Sequence, residues 1–177
     1  PDGWACDDDD PCTLEDQCAS GGCTGLSLAG CAPDEEAERS VVIQEVHFDG
    51  ADNTVPTEFI ELYNYGEEAI SLAGWSLTAG VMFTFPTGTT LAPGDYLVVA
   101  ESPETLMERF GVEALGPYSG GLASEGERLE LRDELGAIAD EVDFQVGYPW
   151  PVGAQDSGRS MELLRPDLDN DLGGSWR

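Results

Sequence analysis

Four consecutive aspartates, Asp7, Asp8, Asp9 and Asp10, stand between Cys6 and Cys12, with Asp16 close behind. Carboxylates this close repel one another, so salt screens them, a cation sits among them, or the cysteines force them together. Calcium takes about six to eight oxygen ligands, and closely spaced Asp and Asn near glycine supply them within a short length of chain. Three stretches have that composition: Asp7 to Asp10 with Asp16, Asp49 with Asp52 and Asn53, and Asp167 with Asp169, Asn170 and Asp171. None has the glycine and the closing glutamate of an EF-hand loop. With thirty-six acids in the chain, some clustering follows from composition alone. Calcium is the one cofactor these residues suggest, first at Asp7 to Asp10 and Asp16, second at Asp167 to Asp171.

The residues offer little for covalent or acid–base catalysis. His47 is the single histidine, so a Ser-His-Asp triad would have to use it, and no Gly-x-Ser-x-Gly turn is present. A lone histidine on a strand is more often exposed or hydrogen-bonded than a base or ligand. Paired carboxylates are so abundant that they do not single out a hydrolytic pair. The expectation is a protein that is not an enzyme. For contact chemistry the aromatic residues matter more. Trp75 reads as a buried strand residue, whereas Tyr148 and Trp150, bracketed by Pro149 and Pro151 in GYPWPVG, read as an exposed aromatic contact loop.

All five cysteines, Cys6, Cys12, Cys18, Cys23 and Cys31, fall in the first 31 residues. That segregation predicts a disulfide-stapled module made in an oxidising compartment. A cysteine metal site competes with it, but the spacing lacks the close Cys-x2-Cys pairs of zinc sites. Two bridges and one cysteine left over allow fifteen connectivities, which spacing alone does not resolve.

Seven basic residues, all arginine, oppose the thirty-six acids, for a net charge of −29. Such a surface repels nucleic acid and anionic membrane faces. It suits either a protein working in salty water or an ordinary acidic secreted one. No apolar run approaches the roughly 18 residues of a membrane-spanning helix. The chain begins at Pro1 without methionine and reads as a mature or excised fragment.

These residues must be positioned by two kinds of element. Residues 1–31 lack apolar periodicity and cannot build a core, 32–40 read as a charged linker, and 41–177 form a second domain. From VVIQEVHF onward, short apolar or alternating runs alternate with Gly, Pro, Asn and Asp: EFIELYN, AISLAGWSL, VMFTFP, DYLVVA, ERLELRD, AIADEVDF and SMELL. This predicts an all-β sandwich or barrel. One helix is expected in SPETLMERFG, with Ser102 as cap, Pro103 in the first turn, Leu106, Met107 and Phe110 on one face, and Gly111 as stop.

In order, IQEVHFDG, EFIELYNYGEEAISLAGWSL, FTFPTGTTLAPGDYLVVA, GERLELRDELGAIADEVDF, YPWPVGAQDSGRSMELLRPDLDND and the closing Ser175 and Trp176 resemble the lamin-tail domain in its bacterial, secreted form, from about Val41 to Trp176. The resemblance implies an immunoglobulin-like β-sandwich with a binding or scaffolding role and no shared active site. It also implies that Trp176 pins the chain end. The DNA contacts of nuclear relatives rest on basic surface, which this sequence lacks. The stretch CDDDDPCTLEDQCASGGCTG resembles a small cysteine-rich repeat of large bacterial surface proteins. That likeness implies that the odd cysteine pairs upstream of Pro1 or on another chain.

The sequence thus leads to a non-enzymatic extracellular binding or scaffolding module of a bacterial surface or secreted protein. Its expected partners are protein or glycan at the cell surface, or copies of itself, with no nucleic acid and no membrane insertion. Two alternatives stand beside it: a self-assembling structural subunit, and an accessory domain of a secreted hydrolase.

Overall fold

The computed structural model describes residues 4, 13–19, 22–27, 40–50, 54–154 and 158–177, with only the side chains of Gln17, Cys18 and Cys23 described within 13–27. The chain divides into two compact units, Pro1–Glu38 and Arg39–Arg177. In the first, β1 (Thr13–Ala19) and β2 (Gly22–Ser27) pair antiparallel, with Cys18 opposite Cys23. The Trp4 carbonyl accepts from the Cys18 amide at 2.8 Å. Cys18 is nevertheless a free thiol, whereas Cys23 is disulfide-bonded. Its partner lies outside the described residues, as do Cys6, Cys12 and Cys31.

The second unit runs β3 (Val41–His47), β4 (Phe59–Asn64), β5 (Ile70–Ser71), β6 (Ser76–Ala79), β7 (Val81–Thr84), β8 (Thr90–Leu91), β9 (Tyr96–Ala100), α1 (Pro103–Phe110), β10 (Ser119–Gly120), β11 (Gly126–Arg132), β12 (Ile138–Gln145) and β13 (Met161–Glu162), then a 3-10 turn at Gly173–Ser175. A four-stranded sheet, β13-β3-β4-β9, faces a five-stranded one, β10-β7-β6-β11-β12, and β5 pairs with β8. This is an all-β, immunoglobulin-like sandwich with one short helix. The AISLAGWSL run is two strands rather than one. Gly74, at φ +83°, turns the chain between them, and the buried Trp75 sits in that turn with its indole N–H donating to Glu134 at 2.9 Å.

Burial follows the two-residue period of a strand along β4, and a departure from that period in β3 fixes the layout. In β4, Ile60 and Leu62 point into the core. Opposite them in β3 stand Val46 and Ile43, which are three residues apart. Strict alternation would put one of these outside. The register shifts between Ile43 and Glu45, so Gln44 forms a bulge and both apolar residues face inward. Gln44 is itself buried and anchored, its side-chain amide donating to the Leu163 carbonyl at 2.7 Å. From the other sheet Leu77, Leu129, Leu131, Val142 and Phe144 complete the core, with Phe48 and Phe144 at 5.1 Å between ring centroids.

The two sheets and the chain end are tied together by Asp140 of β12. Its carboxylate accepts from the Ile43 amide in β3 at 2.7 Å and from the Asn170 side chain at 3.0 and 3.1 Å. The Asn170 carbonyl accepts from the Trp176 indole at 2.8 Å. Trp176 is buried against Trp150, the rings 6.1 Å apart, and Leu163 and Trp176 form an antiparallel bridge. Gly173 makes this closure feasible, because a Cβ there would stand 2.7 Å from the Trp150 backbone nitrogen. Asp140→Ala leaves the Ile43 amide without its partner and is expected to cost about 1–3 kcal/mol in urea denaturation. Gly173→Ala is expected to destabilise as well, by driving Trp150 off its seat.

Candidate functional site

The face of the four-stranded sheet turned away from the core carries the side chains that the Gln44 bulge directs outward. Three rows run across it. Glu162 of β13, Glu45 of β3 and Glu61 of β4 are directly opposite one another in register, followed by Val98 of β9. On one side lies His47, Phe59 and Ala100, and on the other Val42, Tyr63 and Tyr96. His47 and Phe59 stack at 5.2 Å and 11° between planes, and Tyr63 and Tyr96 stack at 4.5 Å.

Like charges directly opposite on adjacent strands destabilise a sheet. The molecule relieves two of the three. Arg177 donates to Glu162 at 2.7 and 3.0 Å, and the Ser160 hydroxyl donates to Glu45. Glu61, in the middle of the sheet, is pushed up to about 7 by burial first and then by Glu45 and Glu162.

Helix α1 folds over part of this face. Ser102 caps it by accepting from the Thr105 amide, Pro103 begins it, and Gly111 closes it at φ +69°, its amide donating to the Met107 carbonyl. Leu106 is buried against Val98, Ala100 and Phe59. Met107 and Phe110, expected on the same face as Leu106, are exposed, Phe110 at 62%. The helix buries a stripe one residue wide because it lies on a sheet already carrying large side chains.

Two clefts result. One of about 900 Å³ is walled by Tyr96, Val98, Met107, Val112 and Leu115 with Glu104, Glu108 and Glu113. The other, of about 530 Å³, is walled by Phe59, Val98, Phe110 and Val112 with Glu45, His47, Glu61 and Arg159.

The residues singled out by sequence fall as follows. His47 is buried and hydrogen-bonded, its Nδ1–H donating to the Thr57 carbonyl at 2.9 Å. Ser160 lines the same cleft, but its hydroxyl goes to Glu45 and not to the imidazole. Asp167 pairs with Arg165 at 2.9 Å. Asp169 accepts from the Asp171 amide at 3.0 Å, and Asp171 from the Asp143 amide at 2.8 Å.

Asp49 is buried, while Asp52, Asn53, Asp7, Asp8, Asp9, Asp10 and the Asp16 side chain lie outside the described residues. Among the described residues, no group of three or more His, Cys, Asp or Glu is placed to hold a metal ion. Tyr148 is 95% exposed, but Trp150 is only 7% exposed and belongs to the core. The aromatic loop therefore presents one ring, not two, because Trp176 needs Trp150 as its packing partner.

The glutamate row and the two clefts were not anticipated. The glutamates come from three separate strands, and only the pairing register makes them neighbours. The family model for the Lamin Tail Domain matches residues 34–148, ending before β13 and Trp176. No curated protein matches the chain.

Among the described residues three carboxyls are raised in the folded state: Glu61 to about 7, Asp140 to about 6, in each case chiefly by burial, and Glu58, also by burial first. The folded protein therefore holds protons that the unfolded chain has released. A raised acid contributes stability that is present below its unfolded value, near 4 to 4.5, and is lost as pH rises through 6 to 7. Melting temperature is expected to fall between about pH 5 and about pH 8, and Glu61→Gln to flatten that slope. A melting temperature that climbs over the interval would contradict the assignment.

Proposed function

The chain belongs to the lamin tail domain family, and from that premise we propose that it serves as a non-enzymatic binding and scaffolding module of an extracellular protein, displayed on a bacterial surface or secreted. The family is one of non-catalytic, immunoglobulin-like domains. The observation that carries the reading is the outer face of the four-stranded sheet, where Tyr96, Met107, Phe110 and Val112 are exposed together around the two clefts. Clustered exposed apolar side chains rimmed by charge mark contact surfaces. On this reading the partner is a protein or glycan outside the cell, and nucleic acid is repelled by a charge of −29.

Assays over glycan, peptide and phosphoester panels are expected to show no turnover. Sustained hydrolysis abolished by His47→Ala or Ser160→Ala would replace the binding module with a hydrolase.

The extracellular assignment rests on the segregated cysteines, and calcium held by Asp7 to Asp10 and Asp16 is part of the same proposal. Protein from its native compartment is expected to carry two intrachain bridges among Cys6, Cys12, Cys18, Cys23 and Cys31, with one cysteine left over. Reduction, or removal of calcium with EDTA, is expected to loosen residues 1–31 while the sandwich stays folded, since a ligand of the folded form alone stabilises it by mass action. Five free thiols by mass spectrometry, or melting indifferent to both calcium and EDTA, would remove the corresponding half.

A further inference from the structure

The surface around α1 combines two features that are costly when left alone in water. Its apolar part, Tyr96, Met107, Phe110 and Val112, is exposed, and the two clefts share Val98 and Val112 as a common wall. Its charged part is mostly acidic: Glu104, Glu108 and Glu113 line the larger cleft and are exposed, while Glu45 and Glu61 line the smaller. Glu104 and Glu108 are one turn apart on α1, a like-charge spacing that weakens a helix. Among the described residues, Arg159 is the one arginine lining either cleft.

We propose that this surface docks a cationic polypeptide segment of another protein, carrying arginine or lysine beside aliphatic or aromatic anchors. The proposal rests on the reading of the domain as a binding module and names its partner class. Anchors of that kind fill clefts whose walls are apolar, and both clefts lie in the volume range of roughly 300–1,000 Å³ typical of binding sites. Arginine and lysine suit the rim because their aliphatic stems lie along apolar surface while their heads reach carboxylates. A neutral glycan would leave the glutamates uncompensated. A second copy of this chain is a poor occupant, since it offers seven cations in all, of which Arg128, Arg132, Arg165 and Arg177 are already paired with its own acids.

The test is calorimetric titration of the full chain with a synthetic peptide of arginine and leucine at helical spacing, beside an arginine-only peptide of equal charge and a panel of neutral oligosaccharides. The arginine–leucine peptide is expected to bind at least about tenfold more tightly than the arginine-only one. Met107→Ala and Phe110→Ala, both at exposed positions, are each expected to erase most of that difference. Joint replacement of Glu104, Glu108 and Glu113 by Gln is expected to weaken binding about tenfold, whereas Gln at the exposed Glu67, Glu68 and Glu125 leaves it unchanged, with melting curves verifying that every variant folds.

Equal affinity for the two peptides, or equal loss in the two triple variants, would show diffuse charge attraction only and overturn the proposal while leaving the module reading intact. Binding of an oligosaccharide, or self-association in sedimentation, that Phe110→Ala abolishes would assign the surface to that occupant and overturn it too. Turnover in the panels above defeats the module reading instead, so the two failures are distinct.

Discussion

The sandwich depends on one extra residue in its first long strand. Without the bulge at Gln44, Ile43 and Val46 could not both face Leu62 and Ile60, and one sheet would lose part of its inner layer. The same bulge sets what the outer layer shows. It places Glu45 opposite Glu61 and His47 opposite Phe59, which builds the carboxylate row and the wall of the smaller cleft. Core packing and surface chemistry are therefore not independent here. A single register decides both, and shifting it would exchange one for the other.

Electrostatics divides the acids into those the fold uses and those it tolerates. Asp140 accepts hydrogen bonds from a neighbouring strand and from the chain end. Glu58 does the same between β4 and the segment at 118–122, accepting from the Leu122 amide at 2.9 Å and the Tyr118 hydroxyl at 3.2 Å. Glu130 is paired with both Arg128 and Arg132, and its carboxyl is held below the usual range, first by the hydrogen bond from Arg132. Among the described residues Glu61 finds no such support, and it sits between two other carboxylates. Glu104, Glu108 and Glu113 remain on the surface beside apolar side chains.

The fold class could be read from alternation and turn residues because each strand states its own period. The helix was legible in the same way, since Ser102, Pro103 and Gly111 act locally. What stayed hidden depends on pairing. No local pattern says that Glu162, from a two-residue strand late in the chain, lies beside Glu45. Trp150 misled for a related reason. Between two prolines it looks like a loop residue, and only Trp176, far along the sequence, gives it a partner to be buried against. The exposure of Met107 and Phe110 escaped because helical periodicity identifies an apolar stripe without saying how much of it a sheet will cover.

The chain end has a mechanical meaning. Arg177 and Glu162 exchange backbone hydrogen bonds at 2.9 and 3.1 Å, β13 is antiparallel to β3, and the tail is antiparallel to β13. The strand that opens the sandwich and the segment that closes it thus run the same way, on either side of β13. Tension applied across the domain from its two ends would load these hydrogen bonds side by side in shear instead of peeling them one at a time. The sandwich would then resist stretching through the very strands that frame the glutamate row.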